Sequence, residues 1–170
     1  MDETTGNDAR KKVRDLIKDA RIAMFATRGE DGYFHARPMA TSKAEFDGTL
    51  WFLTDERTHK VDQLEADSEV LVTYTDDSKQ SYVSLAGRGA IVRDKAKLKE
   101  LWSEPARAWF PKGLDDPNLV AMRIDVAIAE YWDVPSGKLV MLFGYLKAVT
   151  TGKRAGQDAG GIGEHGRTSY

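Results

Sequence analysis

The chain has 170 residues, enough for one domain with a single sizeable core. Its 41% apolar share excludes both a wholly disordered chain and a bundle of membrane spans. Its 25 Lys and Arg against 27 Asp and Glu, a net charge of -2, give no overall electrostatic reason to expect nucleic acid or an anionic membrane as partner.

The amino terminus, Met1-Asp2-Glu3-Thr4, lacks the basic start and apolar run of a secretory signal, and the longest apolar stretch, 139–146, is too short to span a bilayer, so a cytoplasmic protein is expected. Residues 7–20 set Val13, Leu16, Ile17 and Ala20 at i, i+3, i+4 and i+7, which predicts a short amphipathic helix. Residues 21–27 and 33–43 form a hairpin around Arg28-Gly29-Glu30-Asp31-Gly32, and Glu45-Phe46-Asp47-Gly48 turns into a third strand over 49–54. Thr58 opens a helix to about Ala66, with Val61 and Leu64 inward, before a strand over 69–75. The strand 81–92 is interrupted by Gly87 and Gly89, which predicts a bulge or bend at a barrel corner. Asp94 caps a helix that buries Leu98, Leu101 and Trp102. Alternation at Met122, Ile124, Val126 and Ile128 predicts a half-buried strand running to Trp132, and 139–150 reads as the last strand.

Seven strand-like segments with few short helices predict a mainly β fold with peripheral α, a barrel of six to seven mostly antiparallel strands. Residues 1–150 are expected to form this single domain. The tail, 151–170, is rich in glycine and nearly devoid of apolar residues, and is expected to be flexible.

With no cysteine in the chain, disulfides, thiolate catalysis and iron–sulfur clusters are excluded. His35, His59 and His165 stand too far apart for a metal-binding motif, so no metal is expected. Phosphate loop, dinucleotide fingerprint, nucleophile elbow and paired carboxylates are all missing, and no catalytic residue is assigned.

What remains are anion-binding and aromatic residues at segment ends. In Arg37-Pro38-Met39 the guanidinium offers a fork of donors matched to phosphate, stiffened by the proline beside it. In Thr54-Asp55-Glu56-Arg57-Thr58-His59-Lys60 a strand end meets a helix start, where free N–H groups, a hydroxyl and an ammonium favour an anion. The plain alternative makes Thr58 a cap, Lys60 a solvated lysine and Arg37 an ion-pair partner. In Glu130-Tyr131-Trp132, the tryptophan shares the parity of Met122 to Ile128 and reads as a core residue, its alternative being an aromatic facing a flavin. Trp102 and Trp109-Phe110-Pro111-Lys112-Gly113 add aromatic area that either closes a pocket or interface or packs over the core.

Taken in order, Arg37-Pro38-Met39, Leu50-Trp51-Phe52-Leu53-Thr54 with Thr58 and Lys60, Tyr82-Val83-Ser84 before Gly87, Trp102, Trp109 to Gly113 and Glu130-Tyr131-Trp132 resemble the flavin-binding split barrels related to pyridoxamine 5'-phosphate oxidase. Within that family the likeness is to the general stress protein 26 group. The resemblance implies an FMN-binding split barrel, with one FMN per subunit at the interface of a homodimer. Arg37, Thr58 and Lys60 would grip the phosphate with His59 beside them. Pro38, Met39 and Ala40 would lie along the ring, Phe52, Leu53 and Thr54 would complete that wall, and Tyr82 and Trp132 would approach from the other subunit. It implies an FMN-dependent oxidoreductase with a small-molecule redox substrate, the alternative being a non-catalytic stress-response module binding flavin, haem or a deazaflavin. The B6 oxidases carry an Arg-Leu-His-Asp-Arg run where this chain has Lys138-Leu139-Val140-Met141-Leu142, and a glutamine where it has Tyr82, so B6-phosphate oxidation is not expected.

Overall fold

The computed structural model describes residues 6–42, 45–133 and 164–170. The first helix, α1 (Gly6–Ile17), buries Ala9, Val13 and Ile17 on one stripe. Strands β1 (Ile22–Arg28) and β2 (Phe34–Ala40) form the expected hairpin, its turn closed by Gly32 at a φ of +80°, a conformation that favours glycine. Then follow β3 (Thr49–Asp55), α2 (His59–Ala66), β4 (Glu69–Asp76) and β5 (Ser81–Val92). Helix α3 (Lys95–Leu101) is capped as expected, the Asp94 carboxylate accepting the Lys97 N–H at 2.8 Å. Strand β6 (Leu119–Asp133) and a C-terminal strand, β7 (Glu164–Ser169), complete the described chain. The strand expected over 139–150 lies outside the described residues.

All pairings are antiparallel, in the order β2-β1-β4-β5-β6-β3. Among the described residues the two ends of this path meet where Thr41 bridges Phe52 and the Ser42 N–H donates to the Trp51 carbonyl, so the sheet curls into a barrel that is split between β2 and β3. Phe25, Phe52, Val72, Leu85, Met122, Ile124 and Tyr131 fill its interior, with the Phe25 and Phe52 rings 5.7 Å apart. A second cluster, Leu98, Leu101, Phe110, Leu119 and Ala121, packs with Trp51 and Leu53 outside β3 and β6.

Two sequence expectations change. Trp132, expected in the core by parity, is 39% exposed, and Tyr131 is the buried residue. Ala86 pairs with Ile128 but Gly87 pairs with Val126, so Ala127 is an extra residue that reverses the facing of everything after it. The bulge therefore falls beside Gly87, where the glycines predicted it. The tail, expected to be flexible, contributes β7, which lies along the Ile128–Asp133 half of β6 beyond the half that pairs with β3. Unpaired backbone along that edge is the reason: β7 satisfies it, the Tyr170 N–H donates to the bulged Ala127 carbonyl at 3.1 Å, and the Arg10 guanidinium donates to the Ser169 carbonyl at 2.7 and 3.1 Å.

Candidate functional site

The cations singled out in the sequence meet at the mouth of the barrel, where α2 crosses its open end. Arg37 shares the inward parity of Met39 on β2, and Thr27 that of Phe25 on β1, which brings both toward Gln63 of α2. Arg37 Nη1 donates to the Thr27 hydroxyl at 2.6 Å and Nη2 to Gln63 Oε1 at 2.9 Å. The Thr27 hydroxyl, fully buried, passes its own proton to the same Gln63 oxygen at 2.7 Å. This closed ring holds the guanidinium plane while leaving its other N–H donors unused by these contacts.

Across the split, Lys60 Nζ donates to the hydroxyls of Thr54 and Thr58, both at 3.1 Å. Thr58 occupies the N-cap position of α2, but its hydroxyl donates back to the Asp55 carbonyl at 2.8 Å and makes no capping bond. Burial, and after it the charge of Arg37, lower the pKa of Lys60, with Asp55 opposing; burial alone lowers that of Arg37. Two positive groups are thus held close together and partly out of water. Among the described residues no carboxylate lies within ion-pair distance of either.

The nearby carboxylate is engaged elsewhere. Asp55 accepts from the Arg57 main-chain N–H at 2.8 Å, from Arg57 Nε at 3.0 Å and from Nη2 at 2.7 Å, and the Arg57 hydrogen bonds hold its pKa down to about 2. His59 points into solvent, 4.0 Å from Asp62, and takes no part in the cluster. Beyond Gln63 a cleft of about 470 Å³ opens between the β1–β2 turn and α2. Its lining mixes the carboxylates of Glu30, Asp31, Asp62 and Asp67 with Arg28, His35 and His59, whereas the Arg37 and Lys60 cluster carries cations with no carboxylate hydrogen-bonded to them among the described residues.

The remaining predicted residues divide by face. Pro38 and Ala40 are exposed on the outer side of β2, where a proline is tolerated because β2 is an edge strand. The Met39 and Phe52 side chains are in the core, Thr54 is buried at the mouth, and Leu53 packs on the second cluster. Tyr82 and Trp132 are directly opposite each other on β5 and β6, 41% and 39% exposed, on the outer face of the sheet and away from the Arg37 cluster. The His165 ring stacks on Trp132 at 5.0 Å. Within one chain these aromatics and the cations are not brought together. Thr27 and Gln63 are the members of the Arg37 cluster that sequence reasoning missed. The available signal was a hydroxyl at a core position of an apolar strand, which requires a partner.

Comparison with known proteins agrees with this fold. A family model described as pyridoxamine 5'-phosphate oxidase like matches residues 8–156. The chain is 25% identical over 158 residues to Protein bli-3 of Neurospora crassa, covering 85% of this chain and 76% of that one. Among solved structures it resembles a protein described as general stress protein 26 from Jannaschia sp., with a TM-score of 0.74 and 25% identity over 96% of this chain and 99% of that one. It also resembles the general stress FMN/FAD binding protein of Xanthomonas citri, with a TM-score of 0.65 and 28% identity over 75% of this chain and 89% of the other. No helix among the described residues is long and apolar enough to cross a membrane.

Proposed function

Because the chain belongs to the pyridoxamine 5'-phosphate oxidase-like family, we propose that it is an FMN-binding, stress-related oxidoreductase that works as a homodimer in the cytoplasm. The observation that carries this reading is the pair of cations at the barrel mouth, whose hydrogen bonds among the described residues go to neutral oxygens and which match a phosphate monoester in charge. The charge and position of these groups suit the cofactor: Arg37 and Lys60, with Thr58 beside them, would hold its phosphate, while Pro38 to Ala40 and the backbone of Phe52 to Thr54 would lie along its ring. The flavin relative from Xanthomonas citri supports the same cofactor class.

Exposed Ile22, Met24, Leu71, Tyr82 and Trp132 on the outer face supply apolar area for a second copy, and Tyr82 of the partner subunit and Trp132 of the partner subunit then complete the ring site. Bound FMN supplies hydride and single-electron chemistry, and the protein's part is to orient it and exclude water. Tyr82, in place of the B6 oxidases' glutamine, argues for a different small-molecule substrate.

The deciding experiment is the visible spectrum of the purified protein, with chromatography of whatever heat releases. A flavin spectrum with FMN released supports the reading, whereas a colourless protein that takes up no added FMN overturns it. A bound flavin that no reductant in a panel bleaches would assign a non-catalytic flavin carrier or sensor instead.

The pH dependence is a separate check. The FMN phosphate gains its second charge near pH ~6, so FMN affinity relative to riboflavin should rise through that range. A bound phosphate favours charged Lys60, so the ratio should fall again as pH rises through the pKa of Lys60, below the ordinary 10.5 because of burial and Arg37. Fluorescence titrations of both flavins across pH measure this, and a flat ratio would remove Lys60 from the site.

A further inference from the structure

Among the described residues neither cation of the site has a carboxylate within ion-pair distance, although two groups, Gln63 and Asp55, stand where a counter-charge would arise. At Arg37 the position facing both the Nη2 group and the buried Thr27 hydroxyl is filled by an amide oxygen, that of Gln63. A glutamate there would have the same reach and would pair with the guanidinium. At Lys60 the carboxylate of Asp55 is close enough to act on its charge, yet Arg57 takes both carboxylate oxygens. Arg57 is otherwise exposed, and its side-chain hydrogen bonds go to Asp55.

We infer that Thr27, Gln63 and Arg57 are positioning residues that keep Arg37 and Lys60 oriented and unneutralised for a phosphate monoester. The inference rests on the flavin reading above. Thr27 and Gln63 act on Arg37, the first through a hydroxyl that both accepts and donates, the second through neutrality. Arg57 acts on Lys60 by diverting Asp55. None of the three needs to touch the ligand. Their shared effect is on the charge and aim of the phosphate grip, so it should be visible with a phosphorylated ligand and invisible with the same ring lacking phosphate.

The experiment compares dissociation constants for FMN and riboflavin in the full chain, with thermal melting recorded for each variant. Gln63→Glu is expected to weaken FMN binding on the order of tenfold, the size of one charge-assisted contact, with riboflavin affinity and melting temperature unchanged or higher. Arg57→Ala is expected to do the same in smaller measure, and Asp55→Asn combined with Arg57→Ala to restore wild-type FMN affinity. Thr27→Val should lose FMN affinity and Thr27→Ser recover it. Should Thr27→Val fail to fold, the Gln63 and Arg57 variants decide the matter alone. Variants that lower FMN and riboflavin affinity together, or leave the FMN-to-riboflavin ratio unchanged, overturn the positioning role while the flavin reading stands. A wild-type chain that binds neither flavin overturns the flavin reading itself, and the positioning role with it.

Discussion

Replacing both Arg37 and Lys60 with alanine is expected to weaken FMN binding by about 3 to 6 kcal/mol, two to four powers of ten, and to leave riboflavin affinity nearly unchanged. Each charge-assisted hydrogen bond to a phosphate contributes about 1.5 to 3 kcal/mol net, and the upper figure applies where the cations are partly removed from water, as burial of both groups indicates. The two losses should add only roughly, because Arg37 acts on the charge of Lys60 and each single variant relieves that repulsion. Fluorescence titration with FMN and riboflavin measures the effect. An FMN constant that stays within a factor of three of wild type would mean that the phosphate sits elsewhere and that these cations serve the barrel mouth alone.

The second large effect concerns the fold that presents the outer aromatics. Gly87→Ala is expected to destabilise the protein by about 3 kcal/mol, since the new methyl would lie 2.9 Å from the Val126 Cα and closer still to the Asp125 carbonyl oxygen. Both neighbours are backbone, and both belong to β6 immediately before its bulge, so neither side chain rotation nor loop movement relieves the contact. Gly89 is less demanding, because its closest neighbours are the ends of the Leu64 and Ile124 side chains, which can yield. Urea denaturation of Gly87→Ala beside wild type gives the difference. An unchanged midpoint would show that the strands part without cost at this position and that the reversal of parity after Ala127 does not depend on the glycine.

That reversal explains why the strands were more legible in the sequence than the faces they present. The strand over Ser81–Val92 was placed with its observed limits because its alternation and turn residues are local. The Asp94 cap is equally local, a carboxylate three residues before the N–H it accepts. Period-two counting along β6 is also local, and it fails at Ala127 because a bulge is a property of two strands whose register must shift. The same limit hid β7. Its glycines offer no apolar pattern, and its pairing partner is an open edge far back in the sequence, from Asp133 opposite Glu164 to Ile128 opposite Ser169.

By itself the sequence determined that the fold is mainly antiparallel β, where its cationic and aromatic residues lie along the chain, and which family it resembles, because composition, alternation and ordered motifs are carried by neighbouring residues. Only the tertiary structure decided that Thr27 and Gln63 hold the Arg37 guanidinium, that Thr54 and Thr58 hold the Lys60 ammonium, that Arg57 bonds Asp55, and that Trp132 looks outward. Those outcomes depend on which strand ends converge and on the register between them, and contacts between residues twenty-six or thirty-six positions apart leave no periodic trace in the chain.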